Sequence, residues 1–227
     1  MKNYPVEKIR NVGLFSHGGH GKTTLAEAML FDAGAISRLG RVDDGSTTSD
    51  YDPEEIRRHI SVQLSLLPLE WNDAKINLID SPGYADFQGE VLEAMRVVDG
   101  AIVLFEAVSG VEVGAERAWK YAADRNLPRM IVIGKMDREN ADFSRALEQV
   151  TGRFGQRAVP IQLPIGAQES FNGFVDLISM KTYLGPDQKE GEIPDELRAP
   201  AGAAREKLIE AAAEGDDDLL TKYLDGT

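Results

Sequence analysis

Ser16-His17-Gly18-Gly19-His20-Gly21-Lys22-Thr23-Thr24 is the stretch on which the fold turns. Before it runs Asn11-Val12-Gly13-Leu14-Phe15, an apolar segment that reads as a buried strand. After it, Leu25, Ala26, Met29 and Leu30 recur at helical spacing, so 23–32 reads as a helix. A Gly-rich loop ending in Gly-Lys-Thr between a strand and a helix is the setting of a phosphate-binding P-loop. The strict pattern has Gly where Ser16 stands, and Ser is small enough for the turn. Read alone, the segment is also compatible with a Gly-rich turn that merely caps a helix.

The chemistry follows from the residue types. Backbone N–H groups of such a loop converge into an anion nest, and the helix N-terminus adds its partial positive charge. Residues Ser16 to Thr24 are therefore the candidate cradle for phosphates. Lys22 is expected to reach the β- and γ-phosphate oxygens and stabilise charge. The Thr23 hydroxyl is expected to ligate Mg²⁺, which prefers oxygen donors. His17, His20 and His59 are the only histidines. No second ligand type accompanies them along the chain, so a histidine-based metal cluster is not expected.

Working outward, 60–71 and 74–79 read as two strands joined by a tight Asn72-Asp73 turn. Asp80-Ser81-Pro82-Gly83 closes the second of them. Asp80 there can hold a water on Mg²⁺, and the Gly83 N–H can meet a γ-phosphate. Strands at 101–105 and 128–133 and helices at 90–98, 113–124 and 142–154 continue an alternation that implies a mostly parallel sheet covered on both faces. Gly134-Lys135-Met136-Asp137 follows the last of these strands. A carboxylate at Asp137 can accept both the N1–H and the 2-amino hydrogens of guanine, and the Lys135 stem can lie over the base. Adenine lacks that donor pair, so GTP and GDP are the expected ligands.

The polar stretch 40–58 is long for a connection and reads as a mobile loop. With 61 included, it is expected to be ordered by GTP. Beyond Ala158 the pattern changes: short strands at 161–165 and 173–178, an acidic Pro-containing stretch at 185–200, then an Ala-rich helix at 203–213. The chain carries a formal net charge of -13 and no cysteine, so disulfides and thiolate metal sites are excluded. A field of that sign opposes nucleic acid as a whole, and no direct sequence-specific nucleic-acid contact is expected. Arg57-Arg58-His59, the one short basic cluster, reads as a solvated face. No apolar run suits a membrane span of about 20 residues. The expectation is a cytoplasmic protein without membrane contact.

Further segments carry a family resemblance. Asp80-Ser81-Pro82-Gly83-Tyr84-Ala85-Asp86-Phe87, Lys135-Met136-Asp137-Arg138 and Gln162-Leu163-Pro164-Ile165-Gly166 resemble the N-terminal G domain of the elongation factor G family of translation factors. So do Gly173-Phe174-Val175-Asp176-Leu177 and Ile209-Glu210-Ala211-Ala212-Ala213-Glu214, which are similar to a subdomain inserted into that domain. The likeness runs over nearly the whole chain. Five positions depart from it. The family has Asn at Gly134, His at Tyr84, Asp at Gly19, and Arg-Gly-Ile-Thr where this chain has Arg58-His59-Ile60-Ser61. Tyr84 and Gly134 make the chain more similar to divergent bacterial elongation factor G-like paralogues.

The resemblance implies an α/β P-loop fold with a six-stranded, mostly parallel sheet over 1–157 and an inserted α+β subdomain over 158–227. It implies a monomeric GTPase working with the ribosome through a longer protein, whose fifth nucleotide motif would lie beyond Thr227. Ser61 keeps the hydroxyl that would ligate Mg²⁺ beside Thr23 and Asp80. Lys22, Gly83 and Tyr84 take the catalytic positions, with Tyr84 where the family's His places the attacking water. Slow turnover is expected from that exchange. The alternative is a GTP-binding switch module with little or no hydrolysis.

Overall fold

The computed structural model describes residues 2–155 and 158–224. Two compact units divide the chain, Met1–Lys135 and Met136–Thr227. The first is built from β1 (Ile9–Phe15), α1 (Lys22–Asp32), α2 (Pro53–Arg58), β2 (Ser65–Trp71), β3 (Ala74–Asp80), α3 (Gln88–Val97), β4 (Gly100–Glu106), α4 (Val113–Asp124) and β5 (Arg129–Gly134). Its sheet runs in the order β2-β3-β1-β4-β5. All neighbours are parallel except β2 and β3, which form an antiparallel hairpin. Asn72 and Asp73 turn that hairpin at φ 45° and 60°, the left-handed backbone that a tight two-residue turn requires.

Period-two alternation sends successive side chains to opposite faces, and each face has its own core. Leu14, Leu78 and Leu104 pack with Ala26 and Leu30 of α1 on one side. Phe15, Ile79 and Ala101 pack with Ala94 and Met95 of α3 and Ala118 and Ala122 of α4 on the other. The strand ends that carry chemistry are thus clamped between two apolar layers.

The sheet has five strands among the described residues, not six. The strand that follows α5 (Phe143–Phe154) does not extend it. That strand, β6 (Gln162–Ile165), pairs antiparallel with β7 (Gly173–Asp176) across a short loop, and local closure costs less chain entropy than a distant pairing. β8 (Lys181–Leu184) and β9 (Lys189–Gly191) complete a four-stranded meander where two strands were expected. Val175, Leu177 and Ile193 pack there with Ala201 of α6 (Asp195–Ala213). That helix starts earlier than the Ala-rich run suggests: Pro194 stands at its N-cap and Pro200 lies inside it. α7 (Asp217–Leu224) follows, and the terminal Asp225-Gly226-Thr227 lies outside the described residues.

β2 is also shorter than its apolar run. Residues 62–64 have the composition of a strand, yet their N–H groups are taken by carboxylates. Glu55 accepts from Val62 at 2.8 Å and from Gln63 at 3.0 Å, and Glu90 accepts from Leu64 at 2.9 Å. No helix among the described residues is long and apolar enough to cross a membrane.

Candidate functional site

The loop from Ser16 to Gly21 joins the C-terminal end of β1 to the N-terminus of α1. Gly19 and Gly21 adopt φ 78° and 88°, a backbone that residues with a Cβ rarely enter. Gly21 is the N-cap of α1, so the chain reverses into the helix and turns the first helical N–H groups toward the loop. Lys22 is buried, and its Nζ donates to Ser16 Oγ at 3.0 Å and to the His17 carbonyl at 3.3 Å. The Ser that replaces the motif's first Gly therefore has a part: its hydroxyl accepts from the lysine and donates to His17 O at 2.7 Å. Thr24 faces solvent, whereas Thr23 points inward.

Thr23 Oγ1 donates to Asp80 Oδ2 at 2.7 Å and lies 3.3 Å from Ser61 Oγ. Ser61 in turn donates to Asp50 Oδ1 at 2.7 Å. The three expected metal ligands, Thr23, Ser61 and Asp80, thus converge, and the structure adds Asp50. Asp80 Oδ1 is buried with no hydrogen-bond partner among the described residues. An all-oxygen donor set with one orphaned carboxylate oxygen suits a hard divalent cation such as Mg²⁺. Burial is the main force on the ionisable groups here. It pushes the Asp80 carboxyl up to about 6, against the Thr23 hydrogen bond and the charge of Lys22. It pulls Lys22 down to about 8, against Asp80 and Asp50. The Asp50 carboxyl is likewise raised by burial.

The turn after β3 closes on the loop. A Cβ built on Gly83 would come within 2.5 Å of Lys22 Nζ and 2.7 Å of the Gly18 nitrogen, so position 83 admits no side chain. Tyr84 lays its ring over the neighbouring residue: a Cβ on Gly18 would meet ring carbons at 2.8–3.0 Å.

The stretch 40–61 is fastened by two buried glutamates. Glu27, one turn below Thr23, accepts from Gly40 N–H at 2.9 Å and from Thr48 N–H at 2.5 Å. Glu55 lies on α2, which Asp52 starts with a reciprocal capping box. Neither glutamate was singled out by sequence. The capping box Asp52-Pro53-Glu54-Glu55 was a readable signal for α2. Arg57 and Arg58 of the basic cluster both pair with Glu54 of their own helix.

At the base motif, Lys135 stands at φ 57° after β5, and its Nζ lies 3.0 Å from Glu106 Oε1. Met136 is buried and Asp137 is exposed on the turn that opens the second unit. The Met136 carbonyl accepts from Gln168 N–H at 2.7 Å. Sequence reading also missed the company of His20. Two carboxylates, Glu106 and Glu112, stand beside its ring, supplying the second ligand type thought absent.

Residues 7–219 match the family described as the elongation factor Tu GTP binding domain. The chain belongs to that family. It is 43% identical over 230 residues to an elongation factor G from Salinibacter ruber, a match covering 99% of this chain and 33% of that protein. A crystal structure from Thermus thermophilus superposes with a TM-score of 0.91 at 40% identity, covering 96% of this chain and 33% of that one. The chain thus spans about a third of the length of these relatives.

Proposed function

We propose that the chain is the GTP-binding domain of an elongation factor G-like GTPase. It hydrolyses GTP to GDP and phosphate with Mg²⁺, and works on the ribosome in the cytoplasm as part of a longer monomeric protein. Residues 1–157 form its nucleotide-binding core and 158–227 the inserted subdomain. The reading rests above all on one observation: the buried Lys22 ammonium and the oxygens of Thr23, Ser61 and Asp80 gather around a glycine-framed loop.

Thr23, Ser61 and Asp80 hold Mg²⁺, which neutralises phosphate charge when bound. The loop amides and Lys22 bind and orient the phosphates. Gly83 brings its N–H to the γ-phosphate, and the absence of a side chain there lets it approach. Phosphoryl transfer to water asks the protein for positioning and charge stabilisation, with little covalent help. Asp137 selects guanine, with Lys135 against the base. Asp137→Asn presents a donor where an acceptor is needed. It should weaken GTP binding by roughly 1.5–3 kcal/mol in calorimetry. Unchanged binding, or a parent that prefers ATP, refutes the guanine assignment.

A second reading, a GTP-held switch with little hydrolysis, draws support from Tyr84. Its ring packs over Gly18. A ring seated on the loop is poorly placed to orient water. Tyr84→His in the full-length protein is expected to raise ribosome-stimulated phosphate release by about tenfold or more, since positioning of this kind is worth about 10²–10⁴. An unchanged rate shows that Tyr84 does not limit turnover.

A further inference from the structure

Within the phosphate loop, the His20 side chain meets two carboxylates to which the proposed nucleotide site assigns no role. β4 ends at Glu106, and the chain doubles back at once, with Gly110 N–H donating to the Glu106 carbonyl at 2.7 Å. Glu112 then stands just ahead of α4. Both carboxylates converge on His20, whose side chain is only 2% exposed. His20 Nε2 contacts Glu112 Oε2 and lies 3.9 Å from Glu106 Oε2. Ser109 Oγ is 3.0 Å from the first of these oxygens and 3.3 Å from the second. His17 Nε2 lies 3.9 Å from Glu112 Oε1, on the more exposed side.

The charges do not balance with a neutral imidazole. Lys135 answers one carboxylate, through Glu106 Oε1 at 3.0 Å. Glu106 Oε2 and the Glu112 carboxylate are left facing a buried ring. The two carboxylates are 19% and 35% exposed, and partly desolvated negative charge beside a buried ring favours a bound cation. The ligand atoms of His20, Glu106 and Glu112 all lie within 4.8 Å of one another. A tetrahedral ion at about 2.0–2.2 Å from each needs ligand atoms roughly 3.3–3.6 Å apart, so a small shift of the two carboxylates seats it.

We propose that His20, Glu106 and Glu112 form a second cation site, one for a divalent transition metal of the zinc and cobalt kind. One imidazole and two carboxylates suit such ions, whereas Mg²⁺ is served by the oxygens of Thr23, Ser61 and Asp80. Ser109 or a water completes the tetrahedron. An ion here ties the phosphate loop to the end of β4 and, through Glu106, to Lys135. The site does not depend on the proposed hydrolysis. The competing state is a protonated His20 paired with Glu112 alone.

The test is titration of the nucleotide-free chain with Co²⁺ in millimolar Mg²⁺, followed by visible d–d absorption, with Zn²⁺ as competitor. One equivalent of Co²⁺ with four-coordinate absorption, displaced by Zn²⁺, is expected. Glu112→Gln and Glu106→Gln should each weaken Co²⁺ binding about tenfold or more. Thr23→Ala and His59→Ala should leave it intact. His20→Ala should abolish it. Should that variant misfold by circular dichroism, Glu112→Gln decides, because it keeps the side-chain shape and removes the charge. No d–d absorption, equal affinity in Glu112→Gln, or loss of binding in His59→Ala overturns the site.

Discussion

The phosphate loop and the polar stretch 40–61 border the same cluster of hydroxyls, yet opposite means hold them. The loop is shaped by its backbone: Gly19 and Gly21 at positive φ, and one buried lysine folded back on Ser16 and His17. The stretch is shaped by side chains, one from α1 and one of its own. Glu27 gathers Gly40 and Thr48, and Glu55 gathers Asp52, Val62 and Gln63. A backbone-defined site keeps its form when a side chain is removed. A carboxylate-gathered loop does not, because each lost acceptor strands buried N–H groups.

The largest effect expected from that difference is on ligand binding. Lys22→Ala should leave the loop folded and abolish measurable GTP binding, because the loop loses its one mobile cation and keeps its amides. A fluorescent-nucleotide titration beside a thermal melt checks both halves. Retained binding, or a collapsed melt, breaks the comparison from the loop side.

Glu27→Ala tests the other side. It removes the acceptor of two backbone N–H groups, and about 1–3 kcal/mol for each stranded donor puts the cost at about 2–6 kcal/mol. Part of that cost is expected as local opening. Hydrogen exchange should quicken at Gly40 and Thr48, while 62–64, held by Glu55 and Glu90, keep their protection. Uniform quickening would show one cooperative unit in place of a separately tethered loop.

The same division explains what was legible in the sequence. Glycine spacing before Lys22, Asp80 at a strand end and the Asn72-Asp73 turn are local signals, and the structure places the corresponding elements there. The oxygens of Thr23 and Asp80, which the motifs pointed to, lie together with that of Ser61, which the resemblance pointed to. Glu27, Glu55 and Asp50 were hidden as tethers, because a carboxylate on a helix or in a polar run looks like a solvated charge until its partners are known. The strand through 60–64 misled for the same reason: its apolar pattern is real, but the Glu55 carbonyl takes the Ile60 N–H and carboxylates take those of 62–64. Glu106 and Glu112 reach His20 from 86 and 92 residues away, a juxtaposition no local window contains.

Two glycines allow the finest cut, since each stands where the resembling family has a polar side chain. Gly19 sits at φ 78° with open space around it, so Asp there meets no clash but must adopt a left-handed backbone. Gly134 carries no such demand: its φ is not positive, and an added Cβ would find only the Phe105 carbonyl, at an ordinary 3.9 Å. The two substitutions should therefore part company. Gly19→Asp is expected to cost about 1 kcal/mol of stability, from backbone strain. Gly134→Asn is expected to leave the melting temperature within about 2 °C, since its steric cost is small. The restored amide adds at most one hydrogen bond near the nucleotide, about 0.5–1.5 kcal/mol. GTP affinity should then rise by up to about tenfold, measured by nucleotide titration on the variant and its parent. A rise without destabilisation marks position 134 as a plain loss of a side chain. A fall in stability shows instead that the backbone after β5 needs glycine, which would move that turn into the same class as the phosphate loop.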